Sequence, residues 1–273
     1  MEKLQAAIEK ARKQRETAGP APARSGAAKS ARPDPAVDLW ANLKPLTVDE
    51  KLVKKNRLVS FGGAKVAGSY DMLRTRILQQ ARSNDWKRVA IISPHSGCGK
   101  TTTAANLVAS FSRQADLRTM VLDLDMRRPG LARTLGWDAA HTMGEVLQGK
   151  VNYADNGCRF EGNVALGMNK SPVQTASEIL QSQQAADVLD QIEADYAPDI
   201  TLYEMPPLMG TDDNIGFLKN VDCALLLAEA EKTTVDQIDV AERQLAELTN
   251  VMGVVLNKSH YASGAYGYGY GYA

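Results

Sequence analysis

Short apolar runs recur along the chain between stretches of helical periodicity. Residues 89–92, 120–124, 164–168, 199–204, 223–227 and 251–256 each read as a strand, closed by polar or turn residues. Between them, apolar residues return at spacings of three and four. Leu107, Val108 and Phe111 mark a helix after the first run. Residues 131–149 hold short helical pieces. Residues 175–196 predict one long helix carrying Ile179, Leu180, Val188, Leu189 and Ile192, and residues 233–248 predict another. Thr211-Asp-Asp-Asn can start a helix. Residues 69–82 are helical too, with Ser69 as N-cap and Tyr70, Leu73, Ile77 and Leu78 on one side. Strands that alternate with helices at these distances require parallel crossovers. The predicted fold is α/β, a doubly wound, mostly parallel sheet.

The ends break this pattern. Residues 1–17 predict a basic helix, with Leu4, Ala7, Ile8 and Ala11 on one face among Lys3, Lys10, Arg12, Lys13 and Arg15. It is suited to docking on a partner or touching an anionic membrane surface. Residues 18–36, with Pro20, Pro22, Pro33 and Pro35, read as a disordered linker. Residues 37–66 are expected as an arm that packs on the domain through Trp40, Leu43 and Leu46, followed by the main domain at 67–258. The tail at 259–273 alternates Tyr and Gly and cannot build a core. By composition it is equally a sticky flexible tail or a set of accessible phosphoacceptors.

Charge adds little: Lys+Arg and Asp+Glu both number 32 in 273 residues, which argues for no nucleic-acid partner. Cys98, Cys158 and Cys223 form neither a disulfide framework nor a zinc pattern and fit a reducing cytosol. No apolar run approaches the length of a transmembrane segment, and no signal peptide is visible.

The chemistry concentrates at residues 88–103. A strand, a small-residue loop and a helix bracket Ser96-Gly-Cys-Gly-Lys-Thr-Thr102, the context of a phosphate-binding P-loop, so the domain at 67–258 is expected to be a P-loop kinase domain with a sheet of the P-loop NTPase type. Gly97 and Gly99 let backbone approach an anion, and the loop and helix N-terminus present N–H groups to phosphate oxygens. Lys100 would reach the β- and γ-phosphates of ATP, and the Thr101 hydroxyl would hold Mg²⁺. The first glycine of the usual pattern is replaced by Pro94. His95 reads as a loop residue. Asp123 and Asp125 follow at the carboxyl end of the next strand, where open parallel sheets bind ligands. Two carboxylates there suit Mg²⁺ binding and activation of a hydroxyl.

Together, residues 92–102, 121–127 and 177–182, Pro206-Pro207, Thr211-Asp212 and the Tyr-Gly tail resemble the bacterial tyrosine autokinases of exopolysaccharide and capsule synthesis, in their soluble cytoplasmic form. The basic helix and Ala/Pro linker are similar to the N-terminal extension of autokinases from exosortase-linked polysaccharide loci. The resemblance places Lys100 and Thr101 in the Walker A motif and Asp123 and Asp125 in the second Walker motif. It implies that Asp125 helps activate the attacking tyrosine and that Asp123 holds Mg²⁺. Glu204 stands where the third motif normally ends in Asp, as a third metal-side group, and Asn257 matches the residue near the adenine in related ATPases. Tyr266, Tyr268, Tyr270 and Tyr272 are then the phosphoacceptors. The implied partner is a membrane-embedded polysaccharide co-polymerase or chain-length protein, with recruitment to the inner face of the cell membrane. The family's oligomerisation helix carries Glu, Arg and Arg at three-residue spacing; Gly68 and Asp71 replace the first two before Arg74. A homo-oligomer is expected without the family's usual ring motif, and Arg74 and Arg76 are equally well read as a solvated face. Two other readings stay open: a nucleotide-binding, pseudokinase-like regulator of polysaccharide assembly, and a MinD/ParA-type ATPase, although the latter's signature lysine position holds His95.

Overall fold

A computed structural model describes residues 39–63, 67–210 and 212–259, all within one compact unit. The expected basic helix at 1–17, the linker at 18–36 and Tyr261, Tyr266, Tyr268, Tyr270 and Tyr272 lie outside the described residues.

The core follows from the apolar runs. β2 (Arg88–Ile92), β3 (Thr119–Asp123), β6 (Ile200–Glu204) and β7 (Cys223–Glu229) are nearly continuous in buried residues, as strands covered on both faces must be. Alternate residues feed separate cores. Val89, Ile91, Val121 and Leu202 join one cluster, and Ala90, Ile92, Met120, Leu122 and Tyr203 join the other. On the first face lie α3 (Gly68–Asn84) and α4 (Lys100–Ser112), which contribute Ile77, Leu78, Leu107, Val108 and Phe111. Complete burial of Phe111 contributes roughly 1.5–3 kcal/mol. On the other face lie α8 (Ala176–Gln181), α9 (Gln183–Tyr196) and α11 (Val235–Ala246).

With β1 (Lys44–Pro45), β4 (Cys158–Phe160), β5 (Val164–Gly167) and β8 (Asn250–Asn257), the sheet has eight strands in the order β1-β4-β5-β3-β6-β2-β7-β8. Only β4 and β5 pair antiparallel, because the short connection between them cannot cross over. β1 and β4 carry two and three residues and were not expected from the sequence. Trp40, Leu43 and Leu46 are buried, and the Trp40 indole N–H donates to Tyr196 O at 2.7 Å. The remaining helices are short: α1 (Leu39–Asn42), α2 (Glu50–Lys55), α5 (Leu131–Leu135), α6 (Met143–Leu147), α7 (Tyr153–Asn156) and α10 (Asp213–Phe217).

Two expectations are corrected, and one reading left open, that of Arg74, is decided. The helix expected over 175–196 is two helices. Ser182 is extended (φ −74°, ψ 145°); its hydroxyl donates to Ile179 O at 2.7 Å and accepts from Ala185 N at 3.1 Å, ending α8 and starting α9. Ser69 is not an N-cap. The carbonyl of Ala67 already accepts from Tyr70 N and Asp71 N, so α3 begins at Gly68. Arg74 is not solvated: its side chain is 11% exposed and donates to Ser110 O at 2.6 Å and Asp71 Oδ1 at 3.2 Å.

Candidate nucleotide and metal site

The strand order creates the site. The chain passes from β2 to β3 and leaves a place between them that β6 fills, while β7 lies on the other side of β2. The crevice beyond the carboxyl ends at such a reversal is where open α/β sheets bind ligands. The register sets Glu204, the last residue of β6, opposite both Ile91 and Asp123.

The loop from Ser93 to Gly99 joins β2 to α4. Gly97 (φ +88°) and Gly99 (φ +95°) adopt left-handed backbone that favours glycine. α4 begins at Lys100 with no side-chain cap, so its first N–H groups remain available to an anion. Ser96 and Gly97 are exposed at the loop's tip. From the opposite side, Asn257 Nδ2 donates to Cys98 O at 2.8 Å and Lys258 Nζ to Gly97 O at 2.6 Å. A Cβ on Gly99 would collide with the Asn257 amide. Asn257 and Lys258, at the end of β8, therefore hold the loop by two of its carbonyls.

The acidic side is built from three elements. Thr101, in the first turn of α4, donates its hydroxyl to Glu204 Oε1. Asp123 is fully buried; its Oδ2 accepts Leu131 N at 3.2 Å, and its Oδ1 has no hydrogen-bond partner. Glu204 Oε2 is also buried and unpartnered. Burial, then the neighbouring Glu204, pushes the Asp123 carboxyl well up. Burial pushes Glu204 up to about 7 against the lowering effect of Thr101 and Lys100. Asp125 is raised by burial, opposed by Lys100, whose Nζ lies 3.7 Å from its Oδ2. Two buried carboxyls with acceptor atoms to spare, beside a threonine hydroxyl, form an oxygen-only donor set of the kind Mg²⁺ takes. The residues present fit Mg²⁺ with a phosphorylated nucleotide.

The structure thus brings Lys100, Thr101, Asp123, Asp125 and Glu204 together and sets Asn257 on the far side of the loop. Two neighbours were not expected. Gly130 packs so closely that a Cβ would lie 3.0 Å from Thr101 Cγ2. Arg127 Nε donates to the buried Asp213 at 2.8 and 3.1 Å, joining the second Walker segment to α10. The Pro129-Gly130 turn after the Asp pair was a usable signal for the first; the Arg127–Asp213 contact, 86 residues apart in sequence, had none.

Among the described residues, no helix is long and apolar enough to cross a membrane. Residues 89–264 match the CobQ/CobB/MinD/ParA nucleotide-binding domain. Curated relatives include the tyrosine-protein kinase YwqD of Bacillus subtilis, 28% identical over 206 residues, covering 72% of this chain and 85% of the relative. They also include the tyrosine-protein kinase ptk of Acinetobacter johnsonii, 27% identical over 200 residues and 71% of this chain, but only 26% of the longer relative. The kinase domain of the Escherichia coli tyrosine kinase ETK shares the fold, with a TM-score of 0.68, 20% identity and coverage of 84% of this chain and 94% of that one. The curated relatives of similar sequence thus include bacterial tyrosine-protein kinases, and the chain belongs to the CobQ/CobB/MinD/ParA nucleotide-binding family.

Proposed function

We propose that the chain is an ATP-dependent protein-tyrosine autokinase that phosphorylates Tyr266, Tyr268, Tyr270 and Tyr272 and thereby regulates polymerisation and export of an exopolysaccharide or capsule. The observation that carries this reading is the buried pair Asp123 and Glu204, each with an unpartnered oxygen, beside Thr101 and Lys100. The names of the relatives support tyrosine as the acceptor.

The roles follow from position. The loop N–H groups of residues 96–102 and the Lys100 ammonium would hold the phosphates; Thr101, Asp123 and Glu204 would hold Mg²⁺, which would supply charge neutralisation for phosphoryl transfer. Asp125 takes the proton of the attacking tyrosine hydroxyl. Its raised affinity for protons, caused by burial, brings it nearer to working pH than an exposed carboxylate. Asn257 lies at the loop's outer side and supports the nucleotide base. The proposed partner is a membrane-embedded co-polymerase or chain-length protein at the inner face of the membrane, with self-association as a second assembly.

One observation favours a second reading, a nucleotide-binding regulator without phosphotransfer: Glu204 already uses one carboxylate oxygen on Thr101. Intact mass after incubation with Mg·ATP separates the two. The kinase gains phosphate in steps and Lys100→Met does not; an unchanged wild-type mass supports the regulator.

A further inference from the structure

We propose that the P-loop carries a second cation site, distinct from the Mg²⁺ site, that takes one Zn²⁺ or a similar borderline-soft ion through His95, Cys98 and Glu229. One ligand atom from each residue lies within 4.8 Å of the other two. His95 Nδ1 lies 3.0 Å from the Ser96 carbonyl oxygen and so carries the ring proton, which leaves Nε2, 3.8 Å from Cys98 Sγ, as the ligating nitrogen. Zinc bonds of about 2.0–2.3 Å in tetrahedral geometry set ligand atoms roughly 3.3–3.8 Å apart. The sulfur–imidazole spacing already meets this, and the carboxylate needs to close by about 1 Å.

The surroundings favour a cation here. Glu229 is the last residue of β7, with a side chain 12% exposed. Its Oε2 is buried and makes no hydrogen bond; its charged neighbour at 3.4 Å is Lys232, which is mostly exposed and free to swing away. That oxygen lies 3.8 Å from where a Cβ on Gly97 would stand, so the carboxylate faces the loop. The Thr233 hydroxyl is 2.8 Å from His95 Nε2 and accepts the Glu229 N–H at 2.8 Å, aligning ring and strand end. A bound ion takes the Nε2 lone pair from the Thr233 hydroxyl, and three protein ligands leave a fourth position for water.

The donor set decides the ion. Mg²⁺ takes oxygen ligands, as Thr101, Asp123 and Glu204 offer; thiolate with imidazole selects zinc-like metals. The ends of one loop thus sort two kinds of cation. An ion bound here through Oε2 ties loop residues 95 and 98 to the end of β7, while Oε1 stays 3.0 Å from Lys258 Nζ.

Co²⁺ titration of the nucleotide-free full chain, with Mg²⁺ in excess, tests this through the thiolate-to-cobalt charge-transfer band, which oxygen ligands cannot produce. One equivalent should develop the band, and Zn²⁺ should remove it. Cys98→Ser should abolish it, while Cys158→Ala and Cys223→Ala, which alter buried free thiols elsewhere, should keep it. Loss of an outer partner alone weakens metal sites roughly 10–100-fold, so His95→Ala and Glu229→Gln should cost at least about tenfold in affinity. Circular dichroism checks the variants, and a Zn²⁺-dependent rise in wild-type melting temperature is a second readout that needs none. No band and no rise in the wild type, or a band that survives Cys98→Ser, overturns the site. Neither result bears on phosphotransfer, because no nucleotide is present.

Discussion

The hydroxyl of Thr101, in the first turn of α4, donates directly to the Glu204 carboxylate at the end of β6. An aspartate at 204 is shorter by one methylene. The glutamate therefore spans, through a direct hydrogen bond, a distance that a shorter acid would leave open for an ion. Glu204→Asp is expected to retain or raise autophosphorylation. Glu204→Gln keeps an acceptor for Thr101 but removes the charge, and should lower the rate and raise the Mg²⁺ requirement by on the order of 10–100-fold. Equal rates and equal Mg²⁺ dependence across the three proteins would exclude a metal role for Glu204.

The same carboxyl should mark the pH dependence of stability. Its folded pKa, about 7, lies above the ordinary value of 4.5, chiefly through burial. A group raised in this way stabilises fully below its unfolded pKa, and that stability is lost as pH rises through the folded value. Asp123 shifts in the same direction. Without Mg²⁺, wild-type stability should therefore fall relative to Glu204→Gln between pH 4.5 and 7. The difference should be on the order of 3 kcal/mol, at 1.36 kcal/mol per unit. Mg²⁺ should restore the wild type at pH 7 and have less effect on the variant. Parallel pH–melting curves would contradict this.

Asp71 holds three groups on the first face of the sheet: Arg74 Nη1 at 3.2 Å, Ser110 Oγ at 2.6 Å and Arg113 Nη2. It links α3 to the end of α4, behind the P-loop. Asp71→Ala should cost roughly 1–3 kcal/mol, seen as a lower urea midpoint at unchanged slope. An unchanged midpoint would mean that the ion pairs do not hold the helices together.

Ser182 offers a narrower test. Ser182→Ala removes the acceptor that starts α9 and should cost about 1 kcal/mol, with little effect on nucleotide affinity. No loss of stability would indicate that α8 and α9 are joined without this cap.

These residues show what could be read from the chain. β2, β3, β5, β6 and β7 were legible because buried strands are unbroken apolar runs, β8 because its partly exposed run is also apolar, and the P-loop because Gly-Cys-Gly-Lys-Thr sits between a strand and a helix. Ser182 was hidden inside a helical periodicity that continues across it, since apolar spacing records which face is buried and not where the backbone breaks. β1 and β4 are too short to show a period. The reading of Arg74 stayed open because its partner Ser110 belongs to another helix. Asp123, Asp125 and Glu204 were legible as strand-end acids, but the Thr101–Glu204 bond depends on β6 entering between β2 and β3, which local sequence does not encode. His95 gave no signal of its own, because Thr233, its neighbour in space, lies 138 residues away.

The central claim is that this site phosphorylates the chain's own tyrosine tail. The most direct measurement mixes Lys100→Met protein, which retains its tail, with active protein truncated after residue 259. After incubation with Mg·ATP, phosphate on the Lys100→Met chain is mapped by mass spectrometry. Phosphate should appear on Tyr266, Tyr268, Tyr270 and Tyr272 and be absent when Lys100→Met protein is incubated alone. A tail without phosphate in the mixture, together with an unmodified tail in the wild-type protein, would contradict the account.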